Sequence, residues 1–173
     1  MRGRKLIVLD FDNTLFFADA ADGIASKELF KKKLTRAQIR KLPNVQKGNI
    51  LALANSKYAH MLKPNNALIR KIRRLGRSRK VIILSARKIR KGDQTASLLE
   101  RAGMKYDERY HRRNVLIPDE EWKLRKIKVL AKGYGQMDIY DDKKENLRYL
   151  SKHLDPGRAH FYHVEGESIS RYK

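Results

Sequence analysis

The stretch KLIVLDFDNTLF, residues 5–16, decides the fold. Its first half is an apolar run with no polar alternation. A strand exposed on one face would alternate, so the run fits a parallel strand covered on both sides. Asp10 and Asp12 follow at once. Residues two apart on a strand share a face, so both carboxylates are expected to point into one place as the strand ends. Buried strand ends rarely hold unpaired acids, and two carboxylates there repel unless a cation lies between them. The blander alternative makes one a helix cap and the other a surface charge.

Further strands are expected at Val81–Leu84, Met137–Tyr140 and His160–Val164, with Lys105–Asp107 as a short fifth. Between them the pattern predicts helices over Pro64–Leu75, Asp93–Ala102, Pro118–Lys132 and Lys143–His153. The first three stop at Gly76, Gly103 and Gly133, and Pro64 and Pro118 stand at expected first helical positions. The acids after Pro118 suit the positive end of a helix. Strands alternating with helices of this length predict an α/β fold, a Rossmann-like three-layer sandwich with a mainly parallel sheet. Such sheets place ligands at the carboxyl ends of their strands.

Ala18–Leu62 breaks the alternation. It holds a capping-box pattern, Thr35-Arg-Ala-Gln38, and an apolar-rich run over Ile50–Leu62. It reads as a small helical cap insertion over 18–62, leaving a core built from 1–17 and 63–173. Disorder is expected only at the termini and in the Arg77–Lys80 turn.

The 173 residues suffice for one compact domain. Lys and Arg total 41 against 19 acids, a formal +22, so the surface is expected to attract polyanions, nucleic acid above all. Simple solubility is the bland alternative. No apolar run approaches the roughly 20 residues of a membrane span, and no membrane partner is expected. Basic residues do precede the first apolar run, as in a secretory signal, but Asp10 and Asp12 interrupt that run, so export is rejected. The absence of cysteine rules out disulfides, thiolate metal sites and cysteine catalysis. It fits a reducing, cytoplasmic setting and also, with the large charged fraction, a thermophilic source.

Three more pieces carry chemistry. Ser85-Ala86-Arg87 directly follows an apolar strand. Ser85 can donate to a phosphate oxygen, and Arg87 can grip phosphate in a forked contact; alone, they read equally as an N-cap and a surface charge. Asp141-Asp142 closes another apolar strand, where adjacent acids suit a hard cation that takes oxygen ligands. A helix N-cap followed by a first-turn acid is an equal reading there. Lys123 lies on a lysine-rich helix, with Arg125, Lys126 and Lys128 equally available by composition.

Together the pieces DFDNTLF, IILSAR, Lys123 and IYDDKKEN resemble, in order, the four motifs of the haloacid dehalogenase-like (HAD) phosphohydrolase superfamily. The resemblance runs from Lys5 to about Val164, and 18–62 lies where this family often inserts a cap. Within the superfamily the chain is most similar to the polynucleotide 3′-phosphatase domain of phage polynucleotide kinase–phosphatases. That likeness rests on Ser85-Ala86-Arg87, Trp122-Lys123 after an acidic run, and Asp141-Asp142; Lys143 stands where those relatives often have arginine.

The resemblance implies a HAD-like fold and a Mg²⁺-dependent phosphatase. In that scheme Asp10 is the nucleophile that becomes an aspartyl-phosphate, Asp12 the general acid and base, and Lys123 a catalytic cation. Thr14, Ser85 and Arg87 would bind substrate. Asp10, Asp12, Asp141 and Asp142 would hold Mg²⁺, Asp12 through its carbonyl. The expected substrate is a nucleic-acid or nucleotide phosphomonoester. A small-molecule phosphatase such as a 5′(3′)-nucleotidase, and a non-enzymatic nucleic-acid-binding protein on the same fold, remain alternatives.

Overall fold

The computed structural model describes residues 4–87, 94–112 and 116–172. Five parallel strands and one antiparallel strand form a single sheet. In chain order the sheet strands are β1 (Arg4–Leu9), β4 (Lys80–Ser85), β5 (Glu108–His111), β6 (Tyr134–Asp141), β7 (Ala159–Glu165) and β8 (Ser168–Tyr172). Their spatial order is β5-β4-β1-β6-β7-β8, with only β8 running antiparallel. β1 is thus flanked on both sides, as its unbroken apolar run requires.

Side chains alternate between two cores. Ile7, Leu9, Val81 and Ile83 face one layer, packing with Ala21 and Ala25 of α1 (Asp19–Phe30), Ile39 of α2 (Arg36–Arg40), Ile50 of α3 (Asn44–Ser56), Ile72 of α4 (Asn66–Leu75) and Leu98 of α5 (Thr95–Arg101). Leu6, Val8, Ile82 and Leu84 face the other, against Leu124 and Ile127 of α6 (Asp119–Leu130) and Leu147 and Leu150 of α7 (Lys144–His153). The result is the three-layer α/β sandwich expected from the sequence. Each fully buried Leu or Ile contributes about 1.5–3 kcal/mol of transfer free energy.

The segment between Ala18 and Leu62 is helical, as read. Thr35 and Gln38 form the capping box: the Thr35 hydroxyl accepts the Gln38 N–H, and the Gln38 side chain accepts the Thr35 N–H at 2.8 Å. Two short strands, β2 (Phe16–Phe17) and β3 (Lys63–Pro64), pair antiparallel where the chain leaves and rejoins the sheet.

Several expectations need correction. Pro64 is not the first residue of a helix; it pairs in β3, and α4 starts after Asn65, whose side chain caps it by accepting the Leu68 N–H. The short fifth strand is β5 at Glu108–His111, not Lys105–Asp107. Asp107 instead clamps Val81, its N–H donating to the Val81 carbonyl and its carboxylate accepting the Val81 N–H, and the ladder starts one residue later. The C-terminus is ordered through Tyr172, because β8 folds back on β7 across Gly166, whose φ of 58° suits glycine. Arg77–Lys80 is ordered too, as a short 3₁₀ turn leading into β4. Asp93, the expected start of α5, and Arg2 lie outside the described residues. No helix among those residues is long and apolar enough to cross a membrane.

Candidate active site

Three strand tips meet at the carboxyl edge of the sheet. Asp10 follows the last residue of β1, Ser85 ends β4 and Asp141 ends β6. The Asp10 N–H donates to the Tyr140 carbonyl at 3.0 Å, tying the tip of β1 to the tip of β6. The chain then turns tightly. Asn13 adopts a left-handed φ of 61°, which asparagine tolerates, and its side chain accepts the Ala18 N–H. Phe11 and Phe16 stack at 4.9 Å beneath the turn, fixing Asp10 and Asp12 above the core.

Lys123 is the hub. Its ammonium lies 2.7 Å from Asp10 Oδ1, 2.7 Å from Asp141 Oδ2 and 3.6 Å from Asp119 Oδ2, and its side chain is 3% exposed. Helical period explains the choice among lysines: Lys123, Leu124 and Ile127 share the buried face of α6, while Lys128 is exposed. Burial opposes the charge on Lys123, but Asp10, Asp141 and Asp119 outweigh it and hold its pKa well above the usual lysine value.

The acids divide into two environments. Burial pushes Asp10 well above the carboxylate range, with Lys123 pulling it back and Asp141 and Asp142 adding to the rise. Asp142 is raised by burial and by Asp141, against Arg36. Asp12 goes the other way: burial pushes it up, yet Arg87 more than offsets this through charge and hydrogen bonds. Asp119 is held down at about 2, because Lys123 and Lys143 overcome its burial.

Carboxylate oxygens of Asp10, Asp141 and Asp142 all lie within 4.8 Å of one another. Asp142 Oδ1 is buried and has no hydrogen-bond partner. Three hard oxygen donors with one carboxylate oxygen left unspent fit a small divalent cation such as Mg²⁺. Asp141 is oriented by Asn146, which donates to both its oxygens at 3.1 and 2.9 Å, and by the Lys143 N–H at 2.9 Å.

The remaining sequence-picked residues also gather here. Thr14 Oγ1 donates to Asp10 Oδ2 at 3.3 Å. The buried Ser85 hydroxyl accepts the Arg87 N–H at 3.2 Å. Arg87 is engaged with protein: it grips the Asp12 carboxylate in a fork, Nη2 to Oδ1 at 2.6 Å and Nε to Oδ2 at 2.9 Å, and lies over the Phe11 ring. The Asp12 side chain remains one-third exposed, so the cluster opens to solvent beside it.

Five participants were not singled out from sequence. Arg36 reaches from α2 to Asp142 Oδ2 at 2.9 Å, with Arg40 at 3.9 Å. Asp22, on α1, is 4% exposed, and burial followed by the nearby Asp12 raises its pKa to about 7. Asp119 and Asn146 complete the network. Asp119 was findable, standing four residues before Lys123 on one helix face; Arg36 and Asp22 carried no local signal.

No family model and no curated protein sequence matches the chain. Solved structures do. A HAD-superfamily hydrolase of subfamily IA from Geobacter sulfurreducens superposes with a TM-score of 0.61 at 12% identity, over 91% of this chain and 92% of that one. A haloacid dehalogenase-like family hydrolase from Streptococcus pneumoniae gives 0.58 at 15% identity, over 88% and 82%. The fold is HAD-like. The HAD-like sheet order brings β1, β4 and β6 side by side, and the sequence places its acids and Ser85 at their tips.

Proposed function

We propose that this protein is a phosphatase working through an aspartyl-phosphate on Asp10, with a nucleic-acid 3′-phosphate end as substrate. One observation carries the reading: a buried lysine joins the acid of the first strand tip to the acid of another, 2.7 Å from each, beside a third carboxylate with an unspent oxygen.

In this reading an Asp10 oxygen attacks phosphorus, and the bond from phosphorus to the leaving oxygen breaks. Asp12 gives its proton to that oxygen, releasing the alcohol. Asp12, now a carboxylate, takes a proton from water as the water oxygen attacks the aspartyl-phosphate. The bond from phosphorus to Asp10 breaks, and inorganic phosphate leaves with Asp10 restored. Lys123 partly offsets the burial that opposes the charged, nucleophilic form of Asp10. Asp10, Asp141 and Asp142, with the Asp12 carbonyl, would hold Mg²⁺, which when bound offsets the charge gathered between carboxylates and phosphate. Thr14 and Ser85 are within the same cluster to receive phosphate oxygens.

Arg87 has two duties here. Without substrate it neutralises Asp12. A phosphate dianion competes for the same guanidinium, and as Arg87 turns toward it Asp12 regains the proton affinity that an acid needs.

The substrate class is supported by the charge of +22 and by the exposed Arg40 at the end of α2, the helix that reaches the site, with the exposed Lys31, Lys32, Lys33 and Lys41 flanking it. In the same reading α1–α3 form a lid. Asp10→Asn assayed with Mg²⁺ on p-nitrophenyl phosphate and on a 3′-phosphorylated oligonucleotide tests the nucleophile. Wild-type turnover by the variant would remove Asp10 from that role, and equal use of mononucleotides and oligonucleotides at low salt would remove the polyanion substrate.

A further inference from the structure

If Asp12 protonates the leaving oxygen, the groups around Asp12 are the groups that touch the leaving alcohol. Arg87 is bonded to Asp12, and Arg36 and Lys143 also act on its charge. Asp22 belongs to the same surroundings. It comes from α1, immediately after the turn that carries Asp12, and Asp12 is the charge that acts on it most strongly, followed by Arg36.

Two atoms there are unspent. Asp22 Oδ1 and Arg87 Nη1 are both buried and have no hydrogen-bond partner, on residues 4% and 5% exposed. Buried carboxylate oxygens and guanidinium nitrogens are rarely left unpaired, because each loses its hydration without compensation. One acceptor and one donor, on two residues whose charges both act with that of Asp12, match an alcohol that carries a second hydroxyl next to the esterified carbon. The hydroxyl hydrogen would meet Asp22, and an oxygen of the same sugar or its phosphate would meet Arg87.

Resting on the phosphatase reading above, we infer that Asp22 is a specificity-determining residue that accepts a hydrogen bond from a vicinal hydroxyl of the leaving sugar, which makes a ribose end the preferred substrate over a deoxyribose end. The residue does not contact the reacting atoms. It selects the alcohol by leaving an acceptor unpaired when the hydroxyl is missing.

The test compares kcat/KM, with Mg²⁺, for a 3′-phosphorylated oligoribonucleotide, its 2′-deoxy counterpart and p-nitrophenyl phosphate. Above about pH 7, where Asp22 is a carboxylate, wild type is expected to favour the ribose end by about tenfold or more, the usual size of a hydrogen bond to a charged group. Asp22→Ala is expected to bring that ratio to within about twofold by losing ribose turnover selectively. Should Asp22→Ala fail to fold, Asp22→Asn serves: it keeps the shape with a neutral acceptor, and its ratio drops at least threefold. A wild-type ratio near one, or a variant that slows all three substrates alike, overturns the inference. Turnover of p-nitrophenyl phosphate with neither oligonucleotide overturns it while sparing the phosphatase reading. Turnover of none of the three ends both.

Discussion

Arg36 of α2 holds Asp142, just past the end of β6, through a 2.9 Å ion pair between residues 106 positions apart. The pair joins the helices between β2 and β3 directly to the carboxylate cluster. Arg36 thereby supplies positive charge where the cluster would otherwise attract a metal ion. Arg36→Ala is expected to have two opposite effects. Without metal the fold loses about 1–2 kcal/mol, less than for a fully buried pair because Arg36 keeps some solvent contact. Mg²⁺ binds tighter, by about threefold or more, because a competing cation is gone. Urea unfolding in chelator and calorimetric Mg²⁺ titration measure the two. Weaker Mg²⁺ binding in the variant would show that Arg36 orients Asp142 rather than competing at it.

Lys123 makes a sharper case. It is nearly inaccessible and bonds Asp10 and Asp141 at once. Lys123→Met keeps the volume and removes the charge, leaving two buried carboxylates facing each other. The expected loss in chelator is about 3–5 kcal/mol, the cost of stranding buried charge. Saturating Mg²⁺ restores part of it, since the ion binds the folded state alone. Denaturant midpoints with and without Mg²⁺ check this. A variant as stable as wild type in chelator would mean that Asp10 takes up a proton in its place.

How far the site could be read in advance depended on whether a residue's direction is set locally. Asp10 and Asp141 were legible because a strand fixes where the chain points when an apolar run stops. Lys123 was singled out by motif, yet its inward aim follows from sharing a helix face with Ile127. Asp22 and Arg36 were not legible. Both lie in a segment whose helices are predictable, as the Thr35–Gln38 box shows, but whose seating on the sheet is tertiary. The edge strands failed for a related reason. β5 (ERYH) and β8 (SISRY) are paired along one side only and carry polar residues, so neither shows the apolar run that marks β1. Pro64 misled because a proline before a helix reads as a first-turn residue, while Asn65 provides the cap.

Arg87 and Asp12 set a pH dependence whose sign is fixed. In the free protein Arg87 holds the Asp12 pKa below the usual aspartate value. The first chemical step needs Asp12 protonated, so kcat/KM falls as pH rises through that depressed pKa. Arg87→Ala removes the main influence lowering the pKa, and burial then pushes it upward. The absolute rate drops with the lost phosphate contact, but the descending limb of the profile moves to higher pH. Profiles of kcat/KM for p-nitrophenyl phosphate in both proteins measure the shift. A limb at the same pH in both would exclude Asp12 as the titrating group.

Asp22 yields a stability prediction that holds whatever the substrate proves to be. Burial, then Asp12, raises its pKa to about 7 in the folded chain. Unfolding exposes it to water, where an aspartate titrates near 3.9. The folded state therefore binds the proton more tightly. Its favourable contribution is complete below about pH 4 and disappears as pH rises toward 7. Above that the folded protein carries a buried carboxylate, at a cost of up to about 4 kcal/mol. Asp22→Asn has nothing to ionise at this position. The two proteins are expected to match in stability near pH 4, and the variant to gain steadily on wild type until about pH 7 and then hold its lead. Urea unfolding across that range, with chelator present, measures the difference. A constant gap at every pH would place the Asp22 pKa at its unfolded value, and a gap that narrows with pH would mean the folded chain stabilises the carboxylate.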